Sequence, residues 1–359
     1  MSLVAETTAR SAENYRVTRS RRNVAWTGLF ALAAVVVLYE FPYIVGPGTT
    51  TIITQAFIIL TMASMWNLLA GYAGLVSVGQ QVFVGLGAYI VLALNIHNIS
   101  VFTALPVAVI GCGVAALPLW YLVSRLRSGY FAIATWVLAS TVMLVIEKIG
   151  WLGSGTGLSL PHTPNVSAAV FTAYNYWCGL AVTVLAMLSV YLLLRSRLGL
   201  ALTAIRDDEV AARSSGARVG LVRMLVFVIA GAGCGGAGAV LAISLPIVQP
   251  SAVFDVQWTA VMAFAVIIGG LGTIEGPILG TVVYMVLQQE LQSYNVWYLI
   301  ILGLVAIGVA IFARRGLWGL VDDHLHLRLF PVGYWLWDPA SSGRRSRGLG
   351  LGRRRGRHS

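Results

Sequence analysis

The chain has 359 residues, of which 58% are hydrophobic and only 10% are charged. An average soluble domain carries about 25% charged residues, so this composition excludes an ordinary soluble protein. The net charge of +11 would suggest a nucleic-acid partner in a soluble chain, but here the basic residues flank long apolar segments.

The long uncharged segments predict membrane-spanning helices. No Asp, Glu, Lys or Arg occurs between Phe41 and Ser124, and a helix that crosses a bilayer needs about 20 apolar residues. The segments are continuously apolar and lack the alternation of barrel strands, which favours helices. We therefore predict an all-α, polytopic transmembrane helical bundle with about ten spans, at residues 24–45, 49–70, 76–96, 101–123, 129–149, 175–194, 223–244, 256–273, 277–292 and 295–313.

The positions of the basic residues predict the orientation of the spans. With the N-terminus inside, all 24 Lys and Arg residues except Lys148 fall in cytoplasmic segments. Cytoplasmic loops carry the excess of positive charge in membrane proteins, so both termini are expected in the cytoplasm.

Four regions follow from these patterns. Residues 1–22 form a basic cytoplasmic arm, and residues 23–315 form a transmembrane domain that includes a cytoplasmic loop at 195–222. Residues 316–342 are predicted to lie at the membrane interface. The Gly/Arg tail 343–359 cannot bury a core and is expected to be disordered, attracted to anionic lipid headgroups rather than to nucleic acid.

Glycine is concentrated in three places, at 71–87, 231–238 and 269–280. Close helix packing is the simplest explanation for all three and the favoured one for 231–238. The first and third clusters combine glycine with polar groups at a span end, where broken helices can line a path for a solute. The residues predicted to line such a translocation path are Gly71, Gly74, Gln80, Gln81, Gly270, Gly272 and Thr273.

Two loops have distinctive patterns. The loop 150–174 is rich in glycine and proline, which predicts an external loop and not a helix. In the loop 195–222, apolar residues recur at helical spacing, and Asp207 is predicted to cap a second short helix that ends at Gly216. This helix pair is predicted to dock a cytosolic partner; the alternative is an interfacial loop that only connects two spans. The predicted docking residues are Leu198, Leu202, Ile205, Glu209, Ala211, Ala212 and Gly216.

The sequence offers little for catalysis. Lys148 is the only lysine and does not belong to a Walker A motif, so this chain is not expected to hydrolyse a nucleotide. Cys112, Cys178 and Cys234 lie singly in separate spans and are interpreted as packing residues, so no metal site is expected. A carrier coupled to protons or sodium would need a titratable group near the midplane, and the sequence offers no clear candidate.

Four separated segments resemble the permease subunits of branched-chain amino-acid ABC importers, and most of all the larger of the two permeases. The resemblance covers about residues 25–315. It is carried by the segments 67–89, 129–135, 196–212 and 269–277.

The resemblance implies a multi-pass subunit of a bacterial plasma (inner) membrane that imports branched-chain amino acids or similar small amphoteric solutes. It implies three kinds of protein partner: a second related permease, two cytosolic ATPases that use ATP, and an extracytoplasmic solute-binding protein. Membrane lipid is expected as a further partner. Ala211, Ala212 and Gly216 correspond to the importer motif that seats in the ATPase. No cofactor of this chain and no nucleic acid are expected. Closely related permeases carry urea or short-chain amides, which leaves the solute open, and a passive channel or secondary carrier for a small neutral solute is the rival from another class.

Overall fold

A computed structural model of the chain describes residues 16–18, 22–126, 129–162, 166–291, 296–312, 316–325 and 335–337. The chain divides into two compact units, one of residues 34–327 and the other of residues 1–33 together with 328–359. In the second unit, strand β1 (Arg16–Thr18) pairs antiparallel with β2 (Trp335–Trp337). This pair adds two short strands to the predicted all-α class, and β1 lies in the predicted basic arm. The predicted tail 343–359 lies outside the described residues.

The described helices match all ten predicted spans in position. The long helices are α1 (Arg22–Ile44), α2 (Pro47–Asn67), α3 (Gln81–Ile96), α4 (Val101–Val123), α5 (Gly129–Glu147), α6 (Ala168–Arg195), α9 (Val219–Ser244), α11 (Val256–Gly269), α12 (Glu275–Leu291) and α13 (Val296–Phe312). Four shorter helices connect or follow them: α7 (Arg197–Asp207), α8 (Glu209–Ser214), α10 (Pro250–Val253) and α14 (Gly316–Leu325).

Six segments of the described chain are long and apolar enough to cross a membrane, which establishes a polytopic membrane protein. They contain α2, α4, α5, α6 and α9, and the sixth joins α10 to α11. The apolar helix Gln81–Ile96 and the apolar part of α1, Leu32–Ile44, are shorter.

Helix α9 lies at the centre of the bundle and packs closely against α3 and α4. A Cβ atom at Gly238 would overlap the carbonyl group of Val84, and one at Gly87 would overlap that of Gly235. Backbones at such close range need glycine on the contact face. The cluster 231–238 is thus a packing surface, as the favoured interpretation held.

Several predicted boundaries were wrong, three of them for identifiable local reasons. Helix α3 begins at Gln81 and not at 76, because residues 73–80 are not helical. Helix α6 begins at Ala168, inside the predicted loop 150–174, because the Ser167 side chain caps its first turn by accepting a hydrogen bond from the Val170 amide. Helix α8 is capped by Asp208 and not by Asp207.

At the end of the bundle predicted to face outward, one polar contact fastens the loop before α6. The Asn95 side chain donates to the carbonyl oxygen of His162 at 2.8 Å and accepts from the His162 amide at 3.0 Å. In the same loop, Leu158 forms a short antiparallel bridge with Val248. These contacts give this part of the loop a defined shape.

Candidate functional site

The predicted docking loop folds as a pair of short helices whose apolar face is turned inward. Leu202 and Ile205 of α7 are 0% and 2% exposed, and Ala212 of α8 is also buried. Their burial attaches the loop to the bundle, so these three side chains face the protein itself. A partner would instead meet the opposite side, where Val210 is 74% exposed.

Local capping explains why the loop forms two helices. Asp208 Oδ1 accepts hydrogen bonds from the amides of Val210 at 2.8 Å and Ala211 at 3.0 Å, as a helix N-cap does. Helix α8 ends before Gly216, whose φ of +85° is the left-handed conformation that favours glycine. The predicted end of this helix at Gly216 is confirmed. Ala211 and Gly216 are exposed, and Leu198 is partly buried.

Glu209 forms two ion pairs, one with Arg213 inside α8 and one with Arg223 that ties α8 to the start of α9. Its carboxylate lies 2.6 Å from the Arg213 guanidinium and 3.0 Å from that of Arg223. Partial burial opposes ionisation of Glu209, but the two guanidinium groups outweigh it and hold the pKa of the carboxyl below its ordinary value. The loop is therefore attached to α9 by charge as well as by apolar packing.

The first glycine cluster begins where helix α2 loses its regular geometry. Residues Leu68–Tyr72 form a single π turn, and residues 73–80 then leave the helix. The Trp66 indole donates to the carbonyl oxygen of Ser77 at 2.9 Å, which holds this non-helical segment against α2. A π turn of this kind is often found at a functional site.

Asn67 joins this break to the turn between α11 and α12. Its side chain donates to the carbonyl oxygen of Thr273 at 2.7 Å and accepts from the Gly272 amide at 2.9 Å. The backbones of Gly71 and Gly272 are in close contact, since a Cβ atom on Gly71 would lie 2.6 Å from the Gly272 nitrogen. Two glycine clusters that are far apart in the sequence thus meet in one place. We call this place the inner junction, defined by Asn67, Gly71, Gly74 and residues 270–273.

Arg206 of α7 reaches into the inner junction. One of its guanidinium nitrogens, Nη1, donates to the carbonyl oxygen of Gly71 at 2.9 Å. Gly74 and Gly272 lie beside the same side chain, because Cβ atoms on them would lie 3.7 Å from Arg206 Cγ and 3.2 Å from its Nη1. The predicted docking loop therefore contacts the predicted translocation path directly.

The last described helix of the larger unit also begins at this place. A Cβ atom on Gly316, the first residue of α14, would lie 2.6 Å from the Gly270 nitrogen. Glu275, the first residue of α12, is buried beside the same turn. The turn 270–273 is thus packed by elements from four parts of the chain.

The other two predicted path residues lie elsewhere. Gln80 is fully buried and its side-chain oxygen lies 3.7 Å from the sulfur of Cys234, near the middle of α9. Gln81 is also buried, and its side-chain oxygen accepts a hydrogen bond from the Thr259 hydroxyl. Both glutamines face protein. Whether they line a path stays a prediction.

The structure thus brings together Gly71, Gly74, Gly270, Gly272 and Thr273, and separates them from Gln80 and Gln81. The sequence interpretation missed the roles of Arg206 and Asn67. Asn67 stood at the start of a recognised motif, and a polar amide inside an apolar span was the signal that could have singled it out. Arg206 lies inside the recognised segment 196–212, but its contact with Gly71 was not predicted.

Residues 48–311 match the family described as the permease component of branched-chain amino acid transport systems. The chain is 27% identical to the high-affinity branched-chain amino acid permease protein LivM of Escherichia coli K12, over 84% of this chain and 77% of the relative. It is 25% identical to the autoinducer 2 import permease LsrC of Salmonella paratyphi B, over 79% of this chain and 85% of that protein. No solved structure matches the chain.

Proposed function

Because the chain belongs to the family of permease components of branched-chain amino acid transport systems, we propose that it imports branched-chain amino acids as one membrane-spanning subunit of an ATP-driven transporter. It is a transport subunit and not an enzyme. The family match covers the described helices from α2 to α13 almost completely.

The assembly that we propose contains this chain, a second related permease, two cytosolic ATPases that consume the ATP, and an extracytoplasmic solute-binding protein. The observation that carries the proposal is the form of the α7–α8 loop. Its apolar face is buried on the bundle, while Val210 and Ala211 are exposed on the other side. An importer needs such a surface, attached to its spans and free to receive an ATPase.

In the proposed orientation ten spans place both termini and the α7–α8 loop in the cytoplasm of a bacterial inner membrane. The binding protein then delivers its solute at the opposite face, beside the loop that Asn95 and His162 fasten. The many exposed apolar side chains of α4 and α5, such as Ile110, Val114 and Val137, contact lipid or the second permease.

The inner junction is the proposed cytoplasmic end of the solute path. The break of α2 and the turn between α11 and α12 meet there, and both are glycine-rich and non-helical. Irregular backbone at the end of a span is tolerated where it is buried in protein or lines a cavity. Separation of the two glycine clusters would open the path on this side.

Uptake of labelled solutes tests the proposed function. Cells that express this chain with its genomic neighbours are given labelled leucine, labelled urea or labelled autoinducer 2, with and without the ATPase subunits. We expect leucine to enter only when the ATPases are present. Entry of urea or autoinducer 2 instead would replace the proposed solute, and equal entry of any solute without the ATPases would identify a channel or a secondary carrier.

A further inference from the structure

The docking loop contacts the inner junction through one side chain whose role the family match does not assign. Arg206 is the tenth residue of the 11-residue helix α7 and lies beside the buried Ile205, which attaches this end of the helix to the bundle. Its side chain is 41% exposed, so it lies at the boundary between the loop and the spans. Any displacement of α7 therefore moves this guanidinium group relative to α2.

Three glycines from two separate turns surround the side chain of Arg206. The carbonyl oxygen of Gly71 accepts its hydrogen bond, while Gly74 and Gly272 leave room for the rest of the side chain. Gly272 has a φ of +76°, so a larger residue there would be strained and would also crowd Arg206 Nη1. These surroundings suit an arginine because they combine room for a long side chain with a carbonyl oxygen that accepts its hydrogen bond.

The carbonyl oxygen of Gly71, which accepts this hydrogen bond, lies at the negative end of a helix dipole. The Gly71 carbonyl belongs to the π turn that ends α2, and the last carbonyl groups of a helix lack partners within it and form the negative end of its dipole. A guanidinium group placed there satisfies a free carbonyl and is attracted to the helix end. Charge-assisted hydrogen bonds of this kind are about twice as strong as neutral ones.

Three side-chain hydrogen bonds bind the elements of the inner junction together. Asn67 makes two of them, and both of its partners lie in the turn between α11 and α12. Arg206 makes the third, and it alone of the three comes from the docking loop. Within the described residues, the contacts of Arg206 connect α7 to the break of α2 and place it against Gly272.

On the basis of the proposed function, we propose that Arg206 is a latch that couples the ATPase-docking loop to the cytoplasmic end of the solute path. With α7 seated as in this structure, the guanidinium group holds the end of α2 against the turn 270–273 and keeps the inner junction closed. Displacement of α7 by the ATPases withdraws the guanidinium group from Gly71 and lets the two glycine clusters separate. Arg206 is thus a positioning residue that acts on the backbone of the path and not on the solute.

A transport assay with the assembled complex in liposomes tests the latch. The variants are Arg206→Ala, Arg206→Lys and the control Arg197→Ala, which removes an exposed arginine from the start of the same helix. For Arg206→Ala, the loss of one charge-assisted hydrogen bond should lower the labelled leucine imported per ATP hydrolysed by about tenfold. It should also raise leucine leakage without ATP. Arg206→Lys keeps the positive charge and should recover part of the coupling.

A labelling assay makes the test independent of the solute. Ile274 is 5% exposed and adjoins the turn, so a cysteine introduced there should react slowly with a thiol reagent while the inner junction is closed. The Arg206→Ala change should accelerate its alkylation, measured by peptide mass spectrometry, and Arg197→Ala should not. The fully buried native Cys234 reports on the fold and should remain unreactive in every variant.

The results distinguish a failure of the Arg206 latch from a failure of the proposed solute. If Arg206→Ala keeps wild-type leakage, coupling and alkylation, or if Arg197→Ala reproduces its effects, Arg206 is not a latch. If Cys234 becomes reactive together with the introduced cysteine, the arginine only maintains the fold and the latch is likewise rejected. If the wild-type complex shows no ATP-dependent uptake of leucine but the alkylation difference is observed, the proposed solute fails while the structural role of Arg206 stands.

Discussion

Asn67 and Thr273 are 206 residues apart in the sequence, yet the side-chain amide of Asn67 donates to the carbonyl oxygen of Thr273 at 2.7 Å. The same side chain accepts from the neighbouring Gly272 amide. This pair of bonds connects the break of α2 to the turn between α11 and α12 more directly than apolar packing could, because each bond fixes a direction as well as a distance.

The first prediction concerns this contact. Asn67→Leu keeps the size of the side chain but leaves a partly buried amide and carbonyl group without their partner. Each such group costs about 1–3 kcal/mol, so the thermal midpoint of the purified protein should fall and uptake should fall with it. The control is Thr51→Val, which removes an exposed hydroxyl that bonds only within helix α2. An unchanged midpoint for Asn67→Leu would mean that the amide bonds do not hold the inner junction.

The second prediction concerns the packing of α9. Gly238→Ala should disrupt the bundle, because the added methyl group overlaps the Val84 carbonyl, and overpacking of this kind costs about 1–3 kcal/mol or more. In the same helix, a Cβ atom at Gly220 would meet no other atom within 4 Å, so Gly220→Ala should be neutral or slightly stabilising. The yield of folded protein and the thermal midpoint should be measured for both variants. Equal stability of the two variants would contradict the packing assignment.

The third prediction concerns the pH dependence of the docking loop. The pKa of Glu209 is held below its ordinary value in the folded protein by Arg223 and Arg213. The stabilisation from this carboxylate is therefore complete above the unfolded pKa and is lost as the pH falls through the lower folded pKa. Glu209→Gln should remove this acid-dependent part of the stability, seen as a flatter curve of thermal midpoint against pH. A curve that falls as steeply for Glu209→Gln as for wild type would rule out this ion-pair contribution.

The fourth prediction concerns the surface offered to the ATPase. Val210 is 74% exposed on α8 and faces away from the bundle. Val210→Arg should weaken the association with the ATPase subunits, measured by copurification, because it places a solvated charge in an apolar contact. Val210→Leu keeps the apolar character and should copurify normally. Normal copurification of Val210→Arg would show that the ATPase docks elsewhere.

Most of the fold could be predicted from the sequence, because each span is a continuous apolar segment bounded by charge, proline or glycine. Helix α4 has the predicted bounds, and α5 and α13 differ from theirs by only one or two residues at an end. The predicted start of α3 was wrong because hydropathy does not distinguish helical from non-helical backbone in the apolar segment 73–80. The cap of α8 was assigned one residue early, since both Asp207 and Asp208 suit that role.

The candidate site was only partly predictable for a different reason. Glycine clusters and helical spacing are local patterns, so the sequence indicated both the two breaks and the docking loop. The contact of Arg206 with Gly71 spans 135 residues, and no local pattern distinguishes Arg206 from the other arginines of its loop. The inward orientation of Leu202, Ile205 and Ala212 also depends on the spans against which the loop packs, which spacing alone does not identify.

The most direct test of ATP-driven import is accumulation of labelled leucine in cells that carry this chain with all its proposed partners. The comparison is with the same cells after the nucleotide-binding lysine of the ATPase has been replaced by alanine. We predict that intracellular leucine rises above the external concentration only with the intact ATPase. Accumulation that survives the replacement, or entry that merely equalises the two concentrations in both strains, would contradict ATP-driven import by this protein.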